Sequence, residues 1–335
     1  MTGTVASISA AAVNPWRFNA HPDTWFIIGA AGFAYWYALA RTGPRLLGRD
    51  AVVVTRRQVA SFCAGLFFLE LASDWPIHDL AETYLYSAHM LQHMLVSLVA
   101  PPLLLVGIPG WLTRHILRSR GASGTVRVLC RPIIAGLMFN TVIALSHAPF
   151  WVDATLYHHL LHFWAHLLLF TVALFMWFPV VNKLEELPTL TPPGRMIYLF
   201  FQSVVPNVPA AFLVLGTGVI YKFYGAVPHP FAGIDVLNDQ QMAGAIMKVG
   251  GTFFFWGIIV VMFFRWAASQ FPSTKAAEDR AASAAEAAEI LARGRAREAA
   301  PVPAGPRPGS GLPDVLTWDD VAEELARTQP AQPGP

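Results

Sequence analysis

Apolar residues run along this chain in seven long stretches, at roughly 24–40, 58–74, 87–107, 132–150, 158–181, 196–216 and 242–266. Each is close to the ~20 residues that carry a helix across a bilayer core. The pattern predicts an all-α polytopic membrane protein, a bundle of seven transmembrane helices. The polar connections alternate in character. Arg41, Arg45, Arg49, Arg56 and Arg57 follow the first stretch, and Arg114, Arg118, Arg120, Arg127 and Arg131 follow the third. Lys183 and Arg195 follow the fifth, mixed with Glu185 and Glu186. The intervening loops are poor in cations. Cytoplasmic loops carry the excess of Lys and Arg, so the N-terminus is expected outside and the C-terminus in the cytoplasm. Three parts follow: an outer segment 1–23, a membrane domain 24–266 and a largely flexible cytoplasmic tail 267–335. Within the tail, 274–299 is Ala-rich and charged and suits a solvated helix. A Pro/Gly linker comes next, and 316–327 regains helical periodicity, with Thr317 as N-cap and Asp320 three residues on.

Composition agrees with the pattern. Of the residues, 55% are hydrophobic and 13% charged, against about 25% charged in soluble domains. The net charge of +2 carries no nucleic-acid signal, because the arginines sit in loops beside apolar runs. Cys63 and Cys130 fall in or near spans and are expected as packing thiols rather than a disulfide. The N-terminal residues lack the layout of a cleaved signal peptide, so the first apolar run is expected to stay as an anchor. The implied location is a membrane, crossed several times.

The chemistry lies in the histidines. His89 and His93 are spaced i, i+4 at the start of the third stretch, and His158, His162 and His166 share a face of the fifth. His147 ends the fourth, just before Pro149. With the topology above, ten of the eleven histidines lie outside or in the outer half of the membrane, His115 being the exception. Ionisable groups inside a span are costly and mark working sites. Two H-x-x-x-H pairs at matching depth can close around one metal ion or flank a planar cofactor. The metal-free alternative is hydrogen bonding between helices. His158 and His159 stand at the mouth of their span, where lipid headgroups compete for them. His21, His78 and His229 are expected as solvated loop residues.

Further polar groups converge on the same half. Met90, Met94, Met242 and Met247 offer soft thioethers, which with imidazole favour copper. Glu70 is the expected ion-pair partner of Lys248. Pro206 and Pro209 bracket Asn207 and must break the sixth helix, which a membrane tolerates only where the break is buried or lines a cavity.

Four motifs resemble a known family: SAHMLQHMLVSLVAPPLLLVGIPG at 87–110, LSHAPFW with Asp153 at 145–153, LHFWAHLLLF…MWFPVV at 161–181 and DQQMAGAIMKVGG at 239–251. In order and spacing the chain looks like the seven-span CtaG-type cytochrome c oxidase assembly factors, from about Glu70 to Trp266. The resemblance implies a role in maturing haem–copper oxidases by handling copper, with oxidase subunits or copper chaperones as partners. It assigns His89, His93, His147, His162 and His166 as the family's polar positions. One departure is Lys248, where many members have an aromatic, so the seventh span offers either a methionine ligand or an ion pair. No nucleophile, phosphate loop or carboxylate pair suggests an enzyme. Three other readings stay open: a bis-histidine haem protein, a copper permease, and a metal-free assembly scaffold. The permease requires ligands in the inner halves of the spans, which are nearly devoid of them.

Overall fold

The computed structural model describes residues 14–299, apart from 49, 119, 183, 185, 188, 228–230, 232, 272 and 273, together with 323. His229, Lys183, Glu185 and the expected helix at 316–327, Glu323 excepted, lie outside the described residues. All regular structure among the described residues is helical. The chain divides into two units at Phe271 and Pro272.

Every apolar stretch folds as helix. We name α1 Pro22–Tyr37, α2 Arg56–Ser73, the short α3 Ile77–Thr83, α4 Tyr86–Gly107, α5 Pro132–Ser146, α6 Pro149–Tyr157, α7 His159–Val181, α8 Pro192–Leu215 and α9 Val236–Gln270. Four of these, α4, α7, α8 and α9, are each long and apolar enough to cross a membrane. The pair α5 and α6, bent by 75°, is a fifth candidate. The bend falls where Pro149, lacking an N–H, opens a new helix after His147. α1 has only 16 residues, and α2 begins on Arg56 and Arg57 and carries Glu70, so neither stands out by length and composition alone.

The outward faces are apolar. Phe26, Phe33, Trp36, Trp164, Phe212, Phe253 and Phe264 are all exposed. So much exposed aromatic surface would drive aggregation in water and is natural against lipid. The chain is a membrane protein.

Two clusters hold the first unit together. The larger centres on Trp177, Phe139, Met176 and Phe255 between α4, α5, α7 and α9. The smaller joins α1 to α2 and α4, where Tyr35 stacks on Phe62 at 3.8 Å and its hydroxyl donates to Gly107 O at 2.9 Å. α2 and α4 approach so closely there that a Cβ on Gly107 would lie 2.6–2.8 Å from Phe62 atoms. Cys63 is exposed and Cys130 buried, and both are free thiols.

Helices α4 and α8 depart from regular geometry beside the histidines, as does α9 at Ile246–Gly250. α4 has a π-helical turn at Leu95–Val99, two residues after His93. Trp177 Nε1 donates to Ser97 O at 3.1 Å, and Ser97 Oγ to His93 O at 2.6 Å. Such turns are frequent at functional sites. α8 breaks at Val205 and Pro206, as the two prolines require, and Asn207 Nδ2 donates to Ser203 O at 2.8 Å across the break. The break lines a small cavity with His93 and His147.

In the second unit, Thr274–Ala299 is a helix of 26 residues. An Arg293–Glu289 pair at 2.7 Å supports it at i, i+4 spacing.

Candidate metal centre

The chain's up-and-down course brings the start of α4, the end of α5 and the start of α7 to one end of the bundle, beside α3. That end holds the histidines. The start of α4 is secured by α9. Its first backbone N–H groups, on Tyr86 and Ser87, donate to the carboxylate of Asp239. A helix start leaves such donors unpaired, and Leu85 at the N-cap supplies no side chain for them. Asp239, only 1% exposed, therefore caps from another helix. Tyr221 and Tyr224 pack on Tyr86, and their hydroxyls donate to His147 O and Ala81 O.

Within this frame, His89, His93 and His166 bring three ligand nitrogens within 4.8 Å of one another. Ring centroids lie 4.4 Å apart for His89–His93, 4.9 Å for His93–His166 and 5.8 Å for His89–His166. Ligands on one tetrahedral ion with metal–nitrogen bonds near 2.0–2.1 Å stand roughly 3.3 Å apart, so a small closure suffices. Nδ1 of His89 and of His93 is buried with no hydrogen-bond partner. A buried polar atom without a partner is costly, and a ligand removes the cost.

His147 stands next to the trio, its ring 6.2 Å from that of His93. Its Nδ1 donates to Ile143 O at 2.7 Å, which leaves the lone pair on Nε2. That Nε2 is also buried and unpaired. His162 is placed differently from expectation. Rather than a fourth equal member, it is a bridge. Its Nδ1 donates to Glu82 Oε1 at 2.7 Å, and its Nε2 lies 2.8 Å from His166 Nε2. With its own proton on Nδ1, Nε2 of His162 accepts and His166 donates.

Glu82 is the residue that sequence reasoning missed. It lies one helical turn after His78 on α3, and that i, i+4 spacing was the available signal. His78 Nε2 donates to the same Oε1 at 3.1 Å, and His159 Nδ1 lies 4.0 Å from Oε2. Burial opposes the Glu82 charge, but the hydrogen bond and charge of His162, with His78 and His159 beside it, hold the carboxyl below its usual range. His78 is corrected as well. It is no solvated loop residue: Gln92 Nε2 donates to its Nδ1 at 3.0 Å, and its ring stacks on His162 at 6.4 Å. Burial pushes its imidazole down despite Glu82. His21 is corrected likewise, donating to Asp79 at 3.0 Å and meeting His78 edge-on at 4.8 Å. The end of the bundle packs these groups together because the segment before α1 folds back over α3.

The remaining expected positions divide. Met90 is buried in the core, and with Met94 and Met247 it lines a cavity of about 40 Å³ shared by His93 and His147. Met242 faces outward, 44% exposed. The expected Glu70–Lys248 ion pair is not formed. Lys248 is exposed on α9, whereas α2 packs on α1, α3 and α4, and one Glu70 oxygen is buried without a partner. Two larger cavities flank the histidines. One of about 240 Å³ is lined by His21, His78, Glu82, His162 and His166. The other, about 260 Å³, is lined by His89, His93, Trp151, His162 and His166.

No curated protein and no solved structure matches this chain. A family profile does, that of the cytochrome c oxidase caa3 assembly factors (Caa3_CtaG), over residues 24–269. That match includes His78, Glu82, His89, His93, His147, His162 and His166, and the chain belongs to the cytochrome c oxidase caa3 assembly factor family.

Proposed function

We propose that this protein assists the assembly of a haem–copper oxidase by holding a copper ion at His89, His93 and His166, with His147 completing the set. The observation that carries the reading is the convergence of three imidazoles on three different turns of two helices, with ligand nitrogens within 4.8 Å. Unpaired buried nitrogens on His89, His93 and His147 support it. Imidazole suits copper, zinc, iron and nickel, and thioether shifts the preference toward Cu(I). Met90, Met94 and Met247 lie next to His93 and His147, so copper fits best. The π-turn after His93 and the Asp239 cap orient α4, and the hydrogen bond from His162 to Glu82 orients the ring beside His166. Bound copper would supply a cargo for an oxidase subunit or a copper chaperone; the residues themselves bind and orient, and we read no catalytic role.

In this reading seven helices span a bacterial plasma membrane with the N-terminus outside, and the histidines occupy the outer half. The alternation of arginine-rich connections supports that orientation. Haem is the weaker alternative. Rings with centroids 4.4 and 4.9 Å apart leave no slot for a macrocycle between them.

The test is the metal content of the detergent-purified protein beside the single variants His89→Ala, His93→Ala and His166→Ala, with oxidase activity measured in the same cells. Loss of one ligand should abolish bound copper and lower oxidase activity while the protein still accumulates. A triple variant with full copper content and normal oxidase assembly would leave the metal-free scaffold as the reading.

A further inference from the structure

We propose that Glu82, His78 and His162 form a second cation site, outside the buried trio, that takes a divalent first-row metal ion. The three side chains come from two elements. His78 and Glu82 lie one turn apart on α3, and His162 stands in the first turns of α7. Both imidazoles converge on one carboxylate oxygen, at 3.1 and 2.7 Å, and His159 approaches the other oxygen at 4.0 Å. These separations bracket the roughly 3.3 Å between two donors that share an ion with bonds near 2.0–2.2 Å. The two rings stand 6.4 Å apart by centroid, so His78 and His162 close toward each other by side-chain rotation as the ion replaces the bridging protons.

Charge points the same way. Among the described residues, the ionic partners of Glu82 are His78, His159 and His162, with no lysine or arginine. An imidazole is charged only while both its nitrogens carry protons, so this part-buried carboxylate has partners but no permanent counter-charge. Burying a charge without one is expensive, and a metal ion supplies it. The site also has access, since Glu82, His78, His159 and His162 all line the 240 Å³ cavity. The donor set differs from that of the trio. One carboxylate with two or three imidazoles suits Zn(II) or Cu(II), whereas the trio with its neighbouring thioethers suits Cu(I) as well. Because His162 Nε2 lies 2.8 Å from His166 Nε2, an ion on Glu82 stands one imidazole away from the trio. That His162 joins the two sites rests on the trio binding metal; the outer site itself does not.

The competing role for Glu82 is to position His162, as carboxylates commonly orient metal-bound histidines. Stoichiometry separates the two. The full chain, purified in detergent with its affinity tag removed, is titrated with Zn(II) by calorimetry, and bound zinc is counted after desalting. Wild type is expected to hold two ions per chain, Glu82→Gln and His78→Asn one each, and the double variant His89→Ala/His93→Ala also one. Thermal melts confirm that each variant is folded, and either of the two outer variants suffices if the other is not. A single ion lost in the His89/His93 variant overturns the outer site and leaves Glu82 a positioning residue. A single ion lost in Glu82→Gln but kept in the His89/His93 variant sustains the outer site and shows that the trio does not take zinc. No zinc bound to wild type overturns the outer site, while the trio is judged by its copper content.

Discussion

Replacing Asp239 tests whether α9 holds the histidine-bearing end of α4 in place. Asp239 lies 153 and 152 residues from the two N–H groups it accepts, yet it is their partner at the start of the helix. In Asp239→Leu the branched side-chain shape is kept, with bulkier methyl groups in place of the oxygens, and both donors are left buried and unpaired. Each such donor costs about 1–3 kcal/mol, and loss of the negative charge at a helix N-terminus adds up to about 1 kcal/mol. Some relaxation is certain, so a destabilisation of about 3 kcal/mol is expected. For a domain of this size each kcal/mol shifts Tm by about 2–4 °C, which gives a drop of about 6–12 °C. Asp239→Asn keeps one acceptor and should lose about half as much. Tryptophan fluorescence melts in detergent read the change, and copper affinity reads its consequence, because His89 sits in the first turns of α4. Both variants should weaken copper binding in the order of their melts. An Asp239→Leu protein that melts with wild type would refute the capping argument. So would equal losses for Leu and Asn, since they would leave charge, not the paired donors, as the cause.

Three other outcomes follow from the structure. Gly107→Ala should destabilise by about 1–3 kcal/mol, because the added methyl meets the Phe62 backbone rather than a flexible side chain; Gly29→Ala, with open space around it, should be neutral or slightly stabilising, and equal melts for the two would contradict the close packing of α2 on α4. Acid should destabilise the protein in two steps. Burial lowers the folded pKa of His78, so its contribution is full above about pH 6.5 and is lost as pH falls below that, when the unfolded ring binds a proton the folded one resists. Glu82, also lowered, contributes above its unfolded value near about 4.3 and loses that as pH falls further. Melts from pH 8 to about 2 should decline accordingly, less steeply near pH 6 in His78→Asn, and a flat profile would count against the burial of His78. Reporter fusions after Asp50, Arg120 and Lys275 should read cytoplasm and those after Leu80, Asp153 and Gly225 the exterior; an exterior signal at Arg120 would end the proposed orientation.

What could be read from the chain alone was local. A helix repeats every 3.6 residues, so H-x-x-x-H places His89 with His93 and His162 with His166 on one face whatever surrounds them. The apolar runs, the break at Pro206 and the bend before Pro149 follow from hydropathy and from missing N–H groups, which need no partner to act. The grouping of the histidines at one end follows too, because an up-and-down chain alternates ends. Tertiary structure decided which faces meet. The rotation of α7 against α3 turned His162 toward Glu82 and left His166 with His89 and His93. The fold-back of the segment before α1 made His21 and His78 part of the cluster rather than of a loop. The packing of α9 against α4 put Asp239 on the N–H groups of Tyr86 and Ser87, while Lys248 on that same helix faces outward, away from Glu70. Matching depth made Glu70 and Lys248 look like partners, but depth is one coordinate and contact needs three. Helix rotation and neighbour choice arise from packing summed over many side chains, and no short motif encodes that sum.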